Sequence, residues 1–264
     1  MESELLIEKA SGVLTLTLNR RMRKNALSPA LYDSLLASLD DAERDPAIGV
    51  VVLTGAGDTF CAGGDVKRMA GTVEKLSFED RVARLRSRAR ISEMLHGMHK
   101  PTIAMMRGQA VGAGLSFALA CDFRIADTSV QLSTGFMNVG LSGDFGGHYF
   151  LPRLVGMARA RELYLTSTIV LADEALRIGL VNRVLDPDQL EACVHEMAAS
   201  MAAGPRIAIG YLKENLNQAM DLSLARMLDE ESFRHVRCVG TKDHKEAVAA
   251  FVEKRLPVFN SWEE

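Results

Sequence analysis

The chain is 264 residues long, 48% of them hydrophobic and 25% charged, with a formal net charge of −3. This length and composition exclude a disordered or fibrous protein and predict one large domain, or a main domain with a small appendage. The weak negative charge creates no overall field that attracts nucleic acid or an anionic membrane, so we expect neither as a partner. The four cysteines are scattered without a CxxC pair, which predicts free thiols and no metal site.

Nothing in the sequence indicates export or membrane insertion. The opening segment, MESELLIEKA, is acidic and has no apolar run of the length found in signal peptides. No stretch approaches the roughly 18 consecutive apolar residues that predict a membrane-spanning helix. We therefore expect a cytoplasmic protein.

The first half of the chain alternates between strand and helix patterns. Strands are predicted at 4–8, 13–18, 48–53, 102–106 and 123–126 from β-branched and period-two runs. Helices are predicted after Ser28-Pro29, a capping hydroxyl followed by proline, and at 78–98 and 112–120. Four further helices follow from residue 187 onward. The pattern predicts an α/β core, residues 1–204, and a C-terminal helical segment, residues 205–264.

Three glycine-containing loops interrupt these elements, at 54–66 (TGAGDTFCAGGDV), 108–114 (GQAVGAG) and 140–147 (GLSGDFGG). None contains the dinucleotide fingerprint GxGxxG or the phosphate loop GxxxxGK[ST]. A loop that leads into a helix N-terminus presents backbone N–H groups without intrahelical partners. Two such loops that face each other can hold one oxyanion between two donors, although glycines after strands are also ordinary turn residues.

Four segments resemble the signatures of a known family. They are NRRMRKNAL at 19–27, FCAGGDVK at 60–67, KPTIAMMRGQAVGAGLSFALACD at 100–122 and FVEKR at 251–255. In order and spacing they are similar to the enoyl-CoA hydratase/isomerase (crotonase) family, with Arg21 where proline is usual and Ala113 where glycine is commoner. The resemblance covers nearly the whole chain. It implies a spiral of ββα units followed by a helical segment that assembles a homotrimer or a dimer of trimers.

The resemblance also implies an acyl-CoA substrate and a set of site residues. Family members hold a thioester enolate with two backbone N–H groups, which would here belong to Gly64 and Ala113. Coenzyme A would enter as part of the substrate, with no separate cofactor. Contacts to coenzyme A are expected from six residues of the first two signatures: Arg23, Lys24, Ala26, Ala62, Asp65 and Lys67. Lys254 is expected to reach the ligand of a neighbouring subunit. The arginine and the three lysines could equally be solvated surface charges.

Departures from the family pattern bear on the reaction. Family hydratases use two glutamates to position water, and the corresponding positions here are Ser116 and Phe136. Asp144 lies where other members carry a single catalytic aspartate. The segment 140–153 resembles 1,2-epoxyphenylacetyl-CoA isomerases and Δ3,Δ2-enoyl-CoA isomerases. The sequence therefore favours an isomerase that shifts a double bond through Asp144, with an atypical hydratase and a non-catalytic acyl-CoA-binding homologue as alternatives.

Asp144 has a second interpretation, because it could simply cap a helix that starts near Phe145. If it is catalytic, Phe136, Leu141 and Phe145 would form an apolar wall that raises its pKa. His148 would then be a polar neighbour on the same helical face.

The remaining charged residues have mainly structural interpretations. Asp122 and Asp127 fit a strand entry and a turn. The arginines of the helix at 78–98 could approach a phosphate, but a solvated helix surface is favoured: Arg81, Arg84, Arg86, Arg88 and Arg90. The stretch 69–90 is expected to shape the acyl pocket.

Overall fold

The computed structural model describes residues 3–66 and 76–259 of the chain. Within them, a six-stranded sheet forms the centre of the fold. Its strands, in neighbouring order, are β1 (Leu5–Ala10), β2 (Val13–Leu18), β3 (Val50–Gly55), β4 (Thr102–Met106), β6 (Phe123–Asp127) and β9 (Arg183–Leu185). β1 and β2 pair antiparallel, and each later pair in this order is parallel.

A smaller sheet lies beside the glycine loops. It contains β5 (Gln109–Val111), β7 (Gln131–Ser133) and β8 (Val170–Leu171) in that order. Cys61 of the first glycine loop forms a parallel bridge to Ala110 of β5. This sheet therefore holds the first glycine loop against β5, which is part of the second glycine loop.

Nine helices surround the two sheets in the described part of the chain. They are α1 (Pro29–Arg44), α2 (Phe78–Gly97), α3 (Ala113–Ala120), α4 (Gly147–Thr166), α5 (Ala172–Arg177), α6 (Leu190–Ala202), α7 (Arg206–Gln218), α8 (Leu224–Val239) and α9 (Lys242–Glu253). The predicted start of α1 is confirmed, since the Ser28 hydroxyl accepts a hydrogen bond from the Leu31 N–H at 3.1 Å. No helix within residues 3–66 or 76–259 combines the length and apolarity needed to cross a bilayer.

β3 is buried along its whole length because side chains on both of its faces are covered. Strand side chains alternate between the two faces of a sheet. Val51 belongs to the larger core cluster together with Leu35 of α1. Val52 belongs to a second cluster together with Val194 of α6. The first glycine loop therefore follows a strand that is packed on both faces.

The predicted α/β class is confirmed, and each predicted strand is found within two residues of its expected ends. The short strands β5, β7, β8 and β9 were not predicted, and neither was the extent of α4. The proposed boundary near residue 204 coincides with Pro205, which precedes α7. We call α7, α8 and α9 the helical tail.

Candidate active site

A cleft of about 710 Å³ lies between the start of α1, the first glycine loop, α2 and the third glycine loop. This volume is typical of pockets that hold a small-molecule ligand. Gly64 and Asp65 line one side of the cleft, and Asp144 lines another. The predicted pocket wall is partly confirmed, because Phe136 and Leu141 also line it.

The first two glycine loops approach each other so closely that glycine is required at two positions. A Cβ atom on Gly63 (φ +84°) would lie 2.6 Å from the Val111 carbonyl oxygen and 3.5 Å from the Ala113 nitrogen. A Cβ atom on Gly114 would lie 2.5 Å from the Cys61 carbonyl oxygen. Because contacts this short do not accommodate a side chain, the two backbones can adjoin only through glycine.

The predicted oxyanion donors therefore lie on adjoining backbone segments. Ala113 is the first residue of α3, where an N–H group has no intrahelical partner. Gly64 forms a parallel bridge with Leu27, whose N–H donates to the Gly63 carbonyl at 2.8 Å. Among the described backbone hydrogen bonds of these loops, neither the Gly64 nor the Ala113 N–H is a donor. Gly64 borders the cleft directly, whereas Ala113 is buried behind it.

Asp144 is partly buried, and one of its two carboxyl oxygens has no partner in the part of the chain that the structure describes. Its Oδ1 atom is inaccessible to solvent and has no hydrogen-bond partner within the described residues. Burial raises the pKa of this carboxyl from 3.8 to about 6. An unsatisfied buried acceptor typically costs about 1–3 kcal/mol, so such groups concentrate where function requires them.

The alternative that Asp144 is a helix cap is wrong. α4 begins at Gly147, two residues later than expected, and its N-cap is Gly146 without any side-chain hydrogen bond. The Asp144 main-chain carbonyl is instead the anchored group, since it accepts from the Ser116 hydroxyl at 3.1 Å and the Gly147 N–H at 3.3 Å. The backbone thus holds the residue in place while its carboxyl group makes no cap.

Aromatic rings pack beneath Asp144. Phe145, with a left-handed φ of 51°, turns into the core, where its ring stacks on Tyr32 at 5.5 Å and meets Phe117 edge-on at 4.9 Å. It therefore supports the loop from below and does not line the cleft as predicted. Burial and, to a lesser extent, the Asp144 charge raise the pKa of both Tyr32 and Tyr164. Asp144 therefore lies within electrostatic range of two phenol groups.

His148 packs against the loop and against an aromatic ring. Its imidazole stacks on Tyr164 with centroids 4.0 Å apart. A Cβ atom on Gly143 (φ +112°) would collide with that imidazole. The predicted shared helical face is wrong, because Asp144 precedes α4, and His148 instead packs against the loop that bears Asp144.

The two positions at which family hydratases carry glutamate hold other groups. The buried Ser116 hydroxyl is within hydrogen-bonding distance of the Gly112 and Asp144 carbonyl oxygens. Phe136 presents an apolar ring to the cleft. Among the described residues that line the cleft, the carboxylates are Asp65 and Asp144, and Asp65 pairs with Arg20 at 3.3 Å. Asp144 is consequently the carboxylate available for proton transfer in this part of the structure.

Most of the predicted coenzyme A contacts gather around the first glycine loop. Arg23 lies in the 3-10 turn Arg21–Arg23, and Lys24 donates to Gln109 at 3.2 Å and accepts from the Ala62 N–H at 3.0 Å. Ala26 is buried next to them. Lys67 lies outside the described residues. Lys254 ends α9 in the helical tail, where it is exposed.

Three of the five α2 arginines, Arg81, Arg84 and Arg88, line the cleft. Arg81 is exposed, as the prediction of a solvated helix surface requires, whereas Arg84 and Arg88 are partly buried. The other two, Arg86 and Arg90, are exposed and pair with Glu93 and Asp40, respectively. Positions 81, 84 and 88 recur on one helical face, but the spacing does not indicate which face of α2 meets the cleft. Asp122 is structural as predicted, since it pairs with Lys213 at 2.8 Å and accepts from the Thr102 N–H. In the described ranges, no cluster of three metal-ligating side chains occurs.

Comparison with known proteins identifies the family of this chain. Residues 8–262 match the family model described as enoyl-CoA hydratase/isomerase. The chain belongs to this family.

Individual relatives are similar over nearly their whole length. A short-chain-enoyl-CoA hydratase from Clostridium acetobutylicum is 34% identical, covering 96% of each chain. A 1,2-epoxyphenylacetyl-CoA isomerase from Escherichia coli is also 34% identical, covering 97% of each. The crystal structure of an enoyl-CoA hydratase from Bacillus anthracis superposes with a TM-score of 0.92 at 34% identity, covering 98% of this chain and 99% of that one. The predicted crotonase fold is therefore confirmed, and the protein is an enzyme of this family.

Proposed function

We propose that this enzyme shifts the double bond of an enoyl-CoA by proton transfer through Asp144. The observation that carries the proposal is the Asp144 carboxylate at the cleft, whose Oδ1 atom is buried without a hydrogen-bond partner among the described residues, with Ser116 and Phe136 where a hydratase would have glutamates. The N–H groups of Gly64 and Ala113 would hold the thioester oxygen. An acyl-CoA is accordingly the substrate, and the coenzyme A moiety would lie along the first glycine loop.

The reaction needs one base and one oxyanion site. Asp144 removes a proton from the α carbon of a 3-enoyl thioester, and the electron pair spreads over a dienolate. The same carboxyl group returns the proton to the γ carbon, so the double bond moves into conjugation with the thioester. Each N–H donor of an oxyanion hole typically contributes about 3 kcal/mol to such an intermediate. A pKa of about 6 suits this role, because the carboxylate is ionised at neutral pH yet more basic than a solvated aspartate.

Hydration is the second candidate function, because the C. acetobutylicum relative is named a hydratase and is as similar as the named isomerase. A hydratase must activate water as well as protonate carbon. The Ser116 hydroxyl is engaged with main-chain carbonyls and is a poor base, so a hydratase would depend on Asp144 alone.

Two assays with purified protein separate the candidates. The first follows formation of conjugated 2-enoyl-CoA from a 3-enoyl-CoA, and the second follows loss of conjugation when crotonyl-CoA is hydrated. We expect the first reaction to be the faster. Faster hydration would overturn the isomerase proposal and leave the family assignment intact.

We also propose a cytoplasmic homotrimer or dimer of trimers, assembled through the helical tail that follows residue 204. Support comes from large apolar side chains that α7, α8 and α9 leave exposed, among them Leu216, Phe233 and Phe251. Lys254 would then reach a neighbouring subunit's ligand. Sedimentation at micromolar concentration should give a trimer or hexamer, and a monomer would contradict this proposal.

A further inference from the structure

The α2 side of the cleft is cationic. Arg81, Arg84 and Arg88 occupy one face of the helix and all line the cleft. The acidic groups on the described cleft wall are Asp65, which pairs with Arg20, and Asp144. Among its described residues, the cleft wall therefore carries three arginines and two aspartates, although the whole chain has a net charge of −3. Such a local excess of positive charge attracts an anionic ligand group.

Arg88 is the most firmly placed of these cations. Its guanidinium lies over the Tyr32 ring, 4.7 Å from the centroid, and the Tyr32 ring in turn stacks on Phe145. Arg88 is partly buried, and no carboxylate pairs with it within the described residues. A planar guanidinium fixed against a ring keeps its N–H groups available for bidentate binding of a carboxylate.

Arg88 lies near the reacting end of the ligand. Tyr32, on which it stacks, feels the charge of Asp144, which contributes to the raised pKa of this phenol. Among the residues expected to contact coenzyme A, Asp65 lines the cleft but is acidic and pairs with Arg20. The basic ones that the structure describes, Arg23, Lys24 and Lys254, do not line it. An anion held by Arg88 would therefore belong to the acyl chain.

We infer that the acyl chain ends in a carboxylate that the Arg88 guanidinium binds, so that the enzyme's substrates are ω-carboxyacyl-CoA thioesters. The inference rests on the proposed function, which places the thioester oxygen at the N–H groups of Gly64 and Ala113 and the reacting carbons at Asp144. A coenzyme A phosphate is the other anion that Arg88 could bind, and the test below distinguishes the two.

Binding of saturated ligands tests this inference without requiring turnover. Dissociation constants would be measured by calorimetry for free CoA, for ω-carboxyacyl-CoAs of four to eight carbons and for the unsubstituted acyl-CoAs of equal length. The variants are Arg88→Met, which keeps the apolar stem, and Arg88→Lys, which keeps the charge. Arg86→Met is the matched control, because Arg86 is on the same helix but faces Glu93.

We expect the wild type to bind at least one ω-carboxyacyl-CoA about 10-fold more tightly than its neutral counterpart, as for a partly exposed charge-assisted hydrogen bond. Arg88→Met should lose this preference, Arg88→Lys should keep part of it, and Arg86→Met should keep all of it. A wild type without preference overturns the inference, even if Arg88→Met fails to fold. Equal weakening of free CoA and of both acyl series in Arg88→Met would assign Arg88 to a CoA phosphate and also overturn it.

These outcomes are independent of the isomerase assay. If saturated ω-carboxyacyl-CoAs bind preferentially but no isomerisation occurs, the proposed reaction fails and the inferred substrate class stands. If isomerisation occurs without any such preference, the inferred substrate class fails and the proposed reaction stands.

Discussion

The two walls of the cleft are built in different ways. On one side the first two glycine loops adjoin through Gly63 and Gly114, where any side chain would collide with main-chain atoms. On the other side α2 presents side chains, among them Arg88, that different residues could replace without altering the backbone. The first wall offers backbone N–H groups whose positions are fixed by the fold. The second offers groups that depend on residue type.

This difference suggests a division of labour. Chemistry common to a family needs an oxyanion site of constant geometry, which main-chain donors supply without rotamer freedom. Discrimination among acyl chains needs variable groups, which a helix surface supplies. Asp144 lies between the two, since its backbone is anchored to Ser116 of α3 while its carboxyl faces the cleft. Changes to the backbone wall and to Asp144 should therefore affect turnover, whereas changes on α2 should affect ligand choice.

Asp144→Asn should have the largest effect on turnover. Asparagine keeps the size of the side chain but cannot act as a carboxylate base, and removal of a general base commonly costs about 10²–10⁴ in rate. We expect isomerase activity to fall by at least about 10², with acyl-CoA affinity retained. Steady-state kinetics and ligand titration on the same preparation measure both. Nearly full turnover in this variant would show that Asp144 is not the base.

Ala113→Pro should have the next largest effect. Proline removes the N–H donor at the first position of α3, where proline is otherwise well tolerated. Loss of one oxyanion donor typically lowers kcat by about 10²–10³. Ala113→Gly is the matched control, because it keeps the donor and should retain most activity. If circular dichroism shows a folded Ala113→Pro protein with normal kcat, the backbone wall does not stabilise the enolate.

The pH dependence of the reaction should report the same carboxyl group. The base must be ionised, so kcat/KM should fall about tenfold per pH unit below a pKa of about 6. A CoA phosphate titrates in the same range, so the control is the pH profile of the residual activity of Asp144→Asn. Since this variant has no carboxyl group at position 144, the fall in kcat/KM that is due to Asp144 should be missing from its profile. A wild-type profile that stays flat down to pH 4.5 would argue against an essential base with a raised pKa.

The backbone wall could be predicted from sequence much better than the side-chain wall. Its glycines stand at fixed distances in loops after strands, so their residue type reflects a local requirement that the sequence displays. The environment of Arg88 depends on which face of α2 meets the cleft. That helix has arginines around much of its circumference, and tertiary packing selects the buried face.

Asp144 itself illustrates a second limit. Its place in a glycine loop is visible in the sequence, but whether it caps α4 depended on where that helix begins. The helix begins two residues later than expected, which excludes the cap. The short strands β5, β7 and β8 were missed because two or three residues display no periodicity. Their pairing is set by the loops they join.

The smallest expected effect is that of Asp144→Asn on the free energy of unfolding. Its sign distinguishes a functional aspartate from a structural one. The folded-state pKa of about 6 exceeds the ordinary 3.8, so the folded protein binds the proton more tightly than the unfolded chain. Wild-type stability should therefore decrease as pH rises from 3.8 to 6 and stay reduced above that. Asparagine carries no charge at any pH. Asp144→Asn should thus be more stable than wild type by about 1 kcal/mol at pH 8, after allowing for its own unsatisfied amide.

Urea unfolding at fixed protein concentration, at pH 8 and pH 5, measures this difference, which should be clearly smaller at pH 5. Asp122→Asn is the matched control. Asp122 pairs with the buried Lys213 at 2.8 Å, so its loss leaves a buried charge without its partner and should destabilise the protein. If the free energy of unfolding at pH 8 rises in Asp144→Asn and falls in Asp122→Asn, the Asp144 carboxyl group is one that destabilises the fold. If Asp144→Asn instead lowers the urea midpoint at pH 8 as Asp122→Asn does, the Asp144 carboxylate stabilises the fold, and its burial is no indication of function.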